Sequence, residues 1–193
     1  MSEVRYFEPW IGGRYTYSRL KVLVLGESRY DQEYTDNQII QDRIDGSRDR
    51  TFTKFVQAAV GRRHWQEGYD DARYWHNVIF YNYNTTVFPG GPRIPLPWER
   101  RIDGQNARLL CAVLAEFKPT HAIAWGVANW DSLAVEGSEW SAEGRIPGAV
   151  GEPYCSVVVN DHKTLFARTH HPSWQGFSFQ RWASMIRVFL EMK

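Results

Sequence analysis

Two short segments, KVLVLGE at 21–27 and HAIAWG at 121–126, are apolar at nearly consecutive positions instead of alternate ones, and each ends at or beside a glycine. A strand that is apolar on both sides must be covered on both sides, and such strands belong to parallel sheets sandwiched between helices. The rest of the chain must then supply the covering helices. Residues 51–60 place Phe52, Phe55, Val56 and Ala59 at helical spacing, with Gly61 where a helix would stop. Residues 103–117 place Leu109, Leu110, Val113 and Leu114 on one side, with Asp103 as N-cap and Pro119 beyond the end. Further helices are expected over 127–133 and 177–192.

Residues 75–83, rich in aromatic and β-branched side chains, read as another strand, and 155–160 and 164–169 as a hairpin or paired strands around Asp161-His162. Between 89 and 97 the prolines and glycines force an irregular connection. The expected architecture is α/β: a three-layer sandwich with a central, mainly parallel four-stranded sheet flanked by helices. No repeat, low-complexity tract or linker divides the 193 residues, so 1–193 is expected to be a single domain.

Composition narrows the function classes. Lys+Arg 23 against Asp+Glu 22 argues against a domain that coats long stretches of phosphate backbone. Local excesses remain: 42–64 has six basic against three acidic side chains, and 161–193 five against two. Aromatic residues make up 15% of a chain whose mean hydropathy is −0.50, so many rings must lie near water. Such rings suit base stacking, sugar binding or protein contact. Cys111 and Cys155 are the two cysteines, too few for a four-cysteine metal site or a disulfide framework. No metal or other cofactor is expected, and no obligate protein partner. Apolar runs such as 109–114 fall far short of the ~20 residues that cross a bilayer. Glu3, Arg5 and Glu8 occupy positions that would be apolar in a signal peptide. A cytoplasmic protein with no membrane partner is expected.

In a parallel sheet the ligand crevice lies outside the carboxyl ends of the strands. The residues in question are therefore 27–31, 82–84, 126–130 and 169–174. Among them His171 is followed by Pro172, which confines the histidine backbone to the extended region and so aims its ring. A metal hydrolase built on His121, His170 and His171 would lack any HExxH-like spacing. A thiol nucleophile is disfavoured because Cys111 and Cys155 fall in apolar elements, where thiols are inert.

Gly26-Glu27-Ser28-Arg29-Tyr30 after the first strand and His171-Pro172-Ser173 after the last resemble the two signature loops of the uracil-DNA glycosylase superfamily. Between them, Asn82 and the stretch carrying Arg93, Pro95, Pro97 and Glu99 follow the order of its thermostable, iron–sulfur branch, and the likeness runs from about Lys21 to the C-terminus. Two departures stand out. That branch uses four cysteines where this chain has two, so no cluster is expected, and Ser28 stands where the best-known branch has a catalytic aspartate.

The resemblance implies a metal-independent hydrolase that binds an extruded or single-stranded base, damaged or deaminated, and cuts its N-glycosidic bond, with DNA as the nucleic-acid partner. Bond breaking leaves positive charge on the sugar and negative charge on the base, so donors are needed on one side and a carboxylate or polarised water on the other. His171 would stabilise the departing base, while Glu27, Ser28 or Asp31 would handle the water. Asn82 would read the base edge, with Tyr30, Phe52 or Phe55 stacking on it, although helical spacing also suits Phe52 and Phe55 to a core. Arg29, Arg93 and Ser173 would touch nucleic acid, and Trp174 stands where a wedge would enter the duplex. The alternative is a catalytically silent module that keeps the pocket to bind a base, nucleotide or nucleic acid.

Overall fold

The computed structural model of the chain describes residues 8–28, 35–85, 104–126, 139–147 and 152–193. Its strands are β1 (Trp10–Ile11), β2 (Val22–Ser28), β3 (Val78–Asn84), β4 (His121–Trp125), β5 (Glu139–Arg145), β6 (Pro153–Val159) and β7 (His162–Thr169). They form one seven-stranded sheet in the order β1-β3-β2-β4-β7-β6-β5. The pairs β3/β2, β2/β4 and β4/β7 are parallel, whereas β1 joins one side antiparallel and β6 and β5 extend the other antiparallel.

The α/β class therefore holds, but the sheet is mixed and larger than four strands. The two-residue β1 and the polar β5 (EWSAEGR) carry no apolar run, which is why hydrophobic periodicity does not find them. The 155–160 and 164–169 pair is a hairpin, β6–β7, turned at Asn160 (φ 48°) and Asp161 (φ 60°). Two successive positive φ values are the mark of the tight turn whose twist matches its strands.

Helices α1 (Asp36–Ile44), α2 (Arg50–Val60), α3 (Asp71–Trp75), α4 (Gly104–Phe117) and α5 (Phe179–Leu190) cover the sheet on both faces. On one face Leu23, Leu25, Ile79, Tyr81, Ala122 and Ala124 pack with Leu110, Val113 and Leu114 of α4. On the other, Val22, Val24, Phe80 and Ile123 pack with Phe55 and Val56 of α2 and Trp182 and Ile186 of α5. Alternate residues of one strand thus meet different helices, as the unbroken apolar runs require.

Side-chain caps set the helix starts. Asp49 accepts from Thr51 N (2.7 Å) and Phe52 N (3.2 Å) to open α2, which ends before Gly61. Ser178 caps α5, so that helix begins later than the expected 177. Trp75, expected to start a strand, instead ends α3 because Asp70 caps that turn by accepting from Arg73 N at 2.8 Å. The helix expected over 127–133, the Asp103 cap and the proline-rich stretch lie outside the described residues. No helix among the described residues is long and apolar enough to cross a membrane.

Candidate functional site

The parallel strands β2, β3, β4 and β7 run in one direction, so Glu27, Asn84, Gly126 and His171 gather at their shared carboxyl end. Gly126 follows β4, the strand between β2 and β7. Its φ is +82°, and its amide donates to Thr169 O at 2.9 Å, which ties the end of β4 to the end of β7. A Cβ built on Gly126 would lie 3.5 Å from Glu27 Oε2 and 3.8 Å from His171 Cβ. The glycine thus has the Glu27 carboxylate and the His171 side chain on its borders.

His171 is half-buried, with its ring edge-on to Trp125 at 5.9 Å between centroids. The Ser173 backbone N–H donates to His171 Nδ1 at 3.2 Å, and the Ser173 hydroxyl lies 2.7 Å from the same nitrogen. A backbone amide can only donate, so Nδ1 is the acceptor and the proton of the neutral ring sits on Nε2. Burial pushes the imidazole down to about 4, against an opposing pull from the Asp49 carboxylate at the start of α2. At neutral pH His171 is therefore an uncharged hydrogen-bond donor through Nε2. Two further donors, the Trp125 indole N–H and the Thr169 hydroxyl at the ends of β4 and β7, are buried without a hydrogen-bond partner among the described residues. Buried polar groups of that kind are uncommon and call for a functional or solvent explanation.

The neighbouring strand ends are held by a polar chain. Asn84 Nδ2 donates to Glu27 O (2.7 Å) and to Ser28 Oγ (3.1 Å), and Asn106 Nδ2 donates to Asn84 Oδ1 (3.1 Å). Asn106 Oδ1 in turn accepts from Thr85 N (3.3 Å) and Thr85 Oγ1 (3.2 Å). Ser28 is buried within this chain, so its hydroxyl supports the loop and faces protein. Asn82 is likewise committed: its backbone N and its Nδ2 donate to the two oxygens of the buried Asp36, at 2.9 and 2.8 Å. A Cβ on Gly26 would overlap Asn82 Oδ1, so glycine there makes room for this amide.

Of the aromatic candidates, Phe55 is fully buried against Trp125 (4.9 Å) and Tyr74 (6.1 Å) and belongs to the core. Phe52 is half-buried at the edge of the same cluster, 5.1 Å from Trp125. Trp174 is exposed, and Lys54 Nζ of α2 donates to its carbonyl at 3.3 Å. His170 is a packing residue between Trp174 (4.5 Å) and Trp182 (5.1 Å). Arg29, Tyr30, Asp31 and Arg93 lie outside the described residues.

Sequence reasoning brought Glu27, His171, Ser173 and Trp174 to one end of the sheet but missed Asp36, Asp49 and Asn106. The spacing Thr35-x-x-Gln38 is a capping-box signature that announces α1 and hence Asp36, and both of its hydrogen bonds form. No local signal marks Asn106 as a partner of Asn84.

No protein family matches the sequence, and neither does any curated protein. Among solved structures, the chain is similar to a domain of unknown function (DUF1537) from Bordetella bronchiseptica, a citrate-bound, domain-swapped dimer. The two are 12% identical with a TM-score of 0.38, over 87% of this chain and 41% of that one. The chain thus spans less than half the length of that protein, and a likeness at this level says nothing about function.

Proposed function

We propose that the chain is a glycosylase-like hydrolase that receives an extruded or single-stranded base at the mouth bordered by Glu27, Gly126 and His171, and cleaves its bond to the sugar without a metal. The observation that supports this is that the Glu27 carboxylate and the side chain of His171, a neutral imidazole donor, both lie within contact distance of a Cβ built on Gly126. In the reaction the N-glycosidic bond breaks with its electron pair going to the base. His171 Nε2–H donates to the base as that negative charge develops. Water adds to the sugar carbon and gives its proton to the Glu27 carboxylate, which passes it to solvent, and the departed base is protonated from water. A neutral donor suits this step because it need not lose its proton to stabilise the anion.

With Ser28 held inside by Asn84, the role of ordering the water is given to a carboxylate, Glu27 at the mouth or Asp31, which lies outside the described residues. The same burial of Ser28, where the resembled family has an aspartate, favours a second reading as a silent base-binding module.

Labelled oligonucleotides carrying uracil, hypoxanthine or xanthine, treated with alkali after incubation, test the first reading. Wild type should yield strand breaks at the altered base, and His171→Ala should lower the rate by about 10²–10³-fold, the typical cost of one transition-state donor. Folded wild type that makes no abasic site, yet is thermally stabilised by these oligonucleotides, would replace the enzyme with the binding module.

A further inference from the structure

Beside the proposed mouth, on the outer side of α2, lies a cavity of about 590 Å³. Arg43, Arg48, Arg50, Lys54 and Arg63 line it, against a single carboxylate, Asp71. None of the five cations has a carboxylate within ion-pair distance among the described residues. Arg50 and Lys54 stand one helical turn apart on α2, and desolvation together with the Arg50 charge pulls the Lys54 ammonium below its ordinary value. Like charges one helical turn apart repel, and an anion received among them would relieve that repulsion. Burial pushes the Asp71 carboxyl up, while the Arg43 charge pulls it back down.

Two features tie the cavity to a strand of nucleic acid. Trp65, on its rim, is 69% exposed and stands edge-on to His64 with the Arg63 guanidinium 5.8 Å from its centroid. An exposed ring among cations is the arrangement that stacks a base while neighbouring charges hold its phosphates. Lys54 lines the cavity and also bonds the Trp174 carbonyl, so the cavity adjoins the loop that carries His171.

We propose that this cavity is a phosphate-binding site that takes the backbone of a single strand whose base lies at the His171 mouth, with Trp65 stacking on a neighbouring base. The strand assignment rests on the glycosylase-like reading; the phosphate chemistry does not.

The test is fluorescence anisotropy of a labelled single-stranded oligonucleotide between 50 and 200 mM salt (about the range over which such contacts are read). It would compare wild type, the exposed pair Arg48→Gln with Arg50→Gln, Trp65→Ala and His171→Ala. Losing two phosphate contacts should flatten the slope of log affinity against log salt by about 1.4. Trp65→Ala should weaken binding about 5- to 150-fold with the slope unchanged, and Trp65→Tyr should restore most of it. His171→Ala should leave the slope as in wild type. A wild-type slope in the arginine pair overturns the cavity assignment even if base cleavage is intact. If wild type ignores the oligonucleotide but is thermally stabilised by tripolyphosphate, and the arginine pair is not, the strand assignment falls while the phosphate site stands. Stabilisation by neither ligand overturns the site altogether.

Discussion

The Ser173 backbone amide donates to Nδ1 of His171, two residues earlier, and thereby places the ring proton on Nε2. Pro172 between them holds the short turn in which this bond closes. The motif that stands out in the sequence is thus a device for fixing one tautomer of one histidine.

That histidine is held neutral well below the ordinary value of 6.5, at about 4, chiefly by burial. The unfolded chain takes up a proton at His171 near pH 6.5 and the folded chain only near 4, so acidification through that window favours unfolding. The melting temperature of wild type should fall between pH 6.5 and about 4, and His171→Ala should show a shallower fall. His121 and His170, also lowered by burial, slope in the same direction in both proteins and cancel in the difference. Equal slopes in wild type and variant would show that His171 is not held neutral.

Gly126→Ala should cost about 1–2 kcal/mol, because an L-residue at φ +82° is strained whatever the space around it. The added methyl meets Glu27 and His171 only at contact distance, so Gly126→Val should reduce base cleavage beyond its effect on stability. Urea unfolding midpoints set beside cleavage rates separate the two effects. Ala at no cost would mean the residue does not hold this backbone conformation.

Asn82→Ala should destabilise the protein by about 1–3 kcal/mol, since it removes a buried donor to the Asp36 carboxylate. Asn82→Asp should be worse at neutral pH and partly recover on acidification, when one of the two adjacent carboxyls takes a proton. Chemical denaturation at two pH values checks both. A change in base selectivity without loss of stability would instead return Asn82 to the role of reading a base edge.

Phe55→Ala should cost about 3–5 kcal/mol, as expected for a fully buried ring. Phe52→Ala, at a half-buried edge position, should cost less in stability and more in oligonucleotide affinity relative to that cost. Urea denaturation and anisotropy measure the two quantities. Similar ratios for both variants would place Phe52 in the core as well.

The runs at 21–27 and 121–126 disclose a doubly covered strand because burial on both faces leaves no polar alternation to misread. The stop at Gly61 is legible for the same kind of reason: it satisfies backbone groups within a few residues. What one sequence cannot display is the partner of a buried polar group. Asn82 reads as a residue free to meet a base until Asp36, 46 positions away, is found beneath it, and Ser28 reads as a water ligand until Asn84 takes its hydroxyl. The basic excess along 42–64 is legible in the sequence, but its charges gather around one volume only when α1, α2 and the following turn are packed. Local chemistry therefore disclosed the central strands, the longer amphipathic helices and the histidine turn, because its interactions close over short separations. Tertiary structure decided which polar side chains remain open to a ligand, because that depends on long-range contacts between elements that no local pattern encodes.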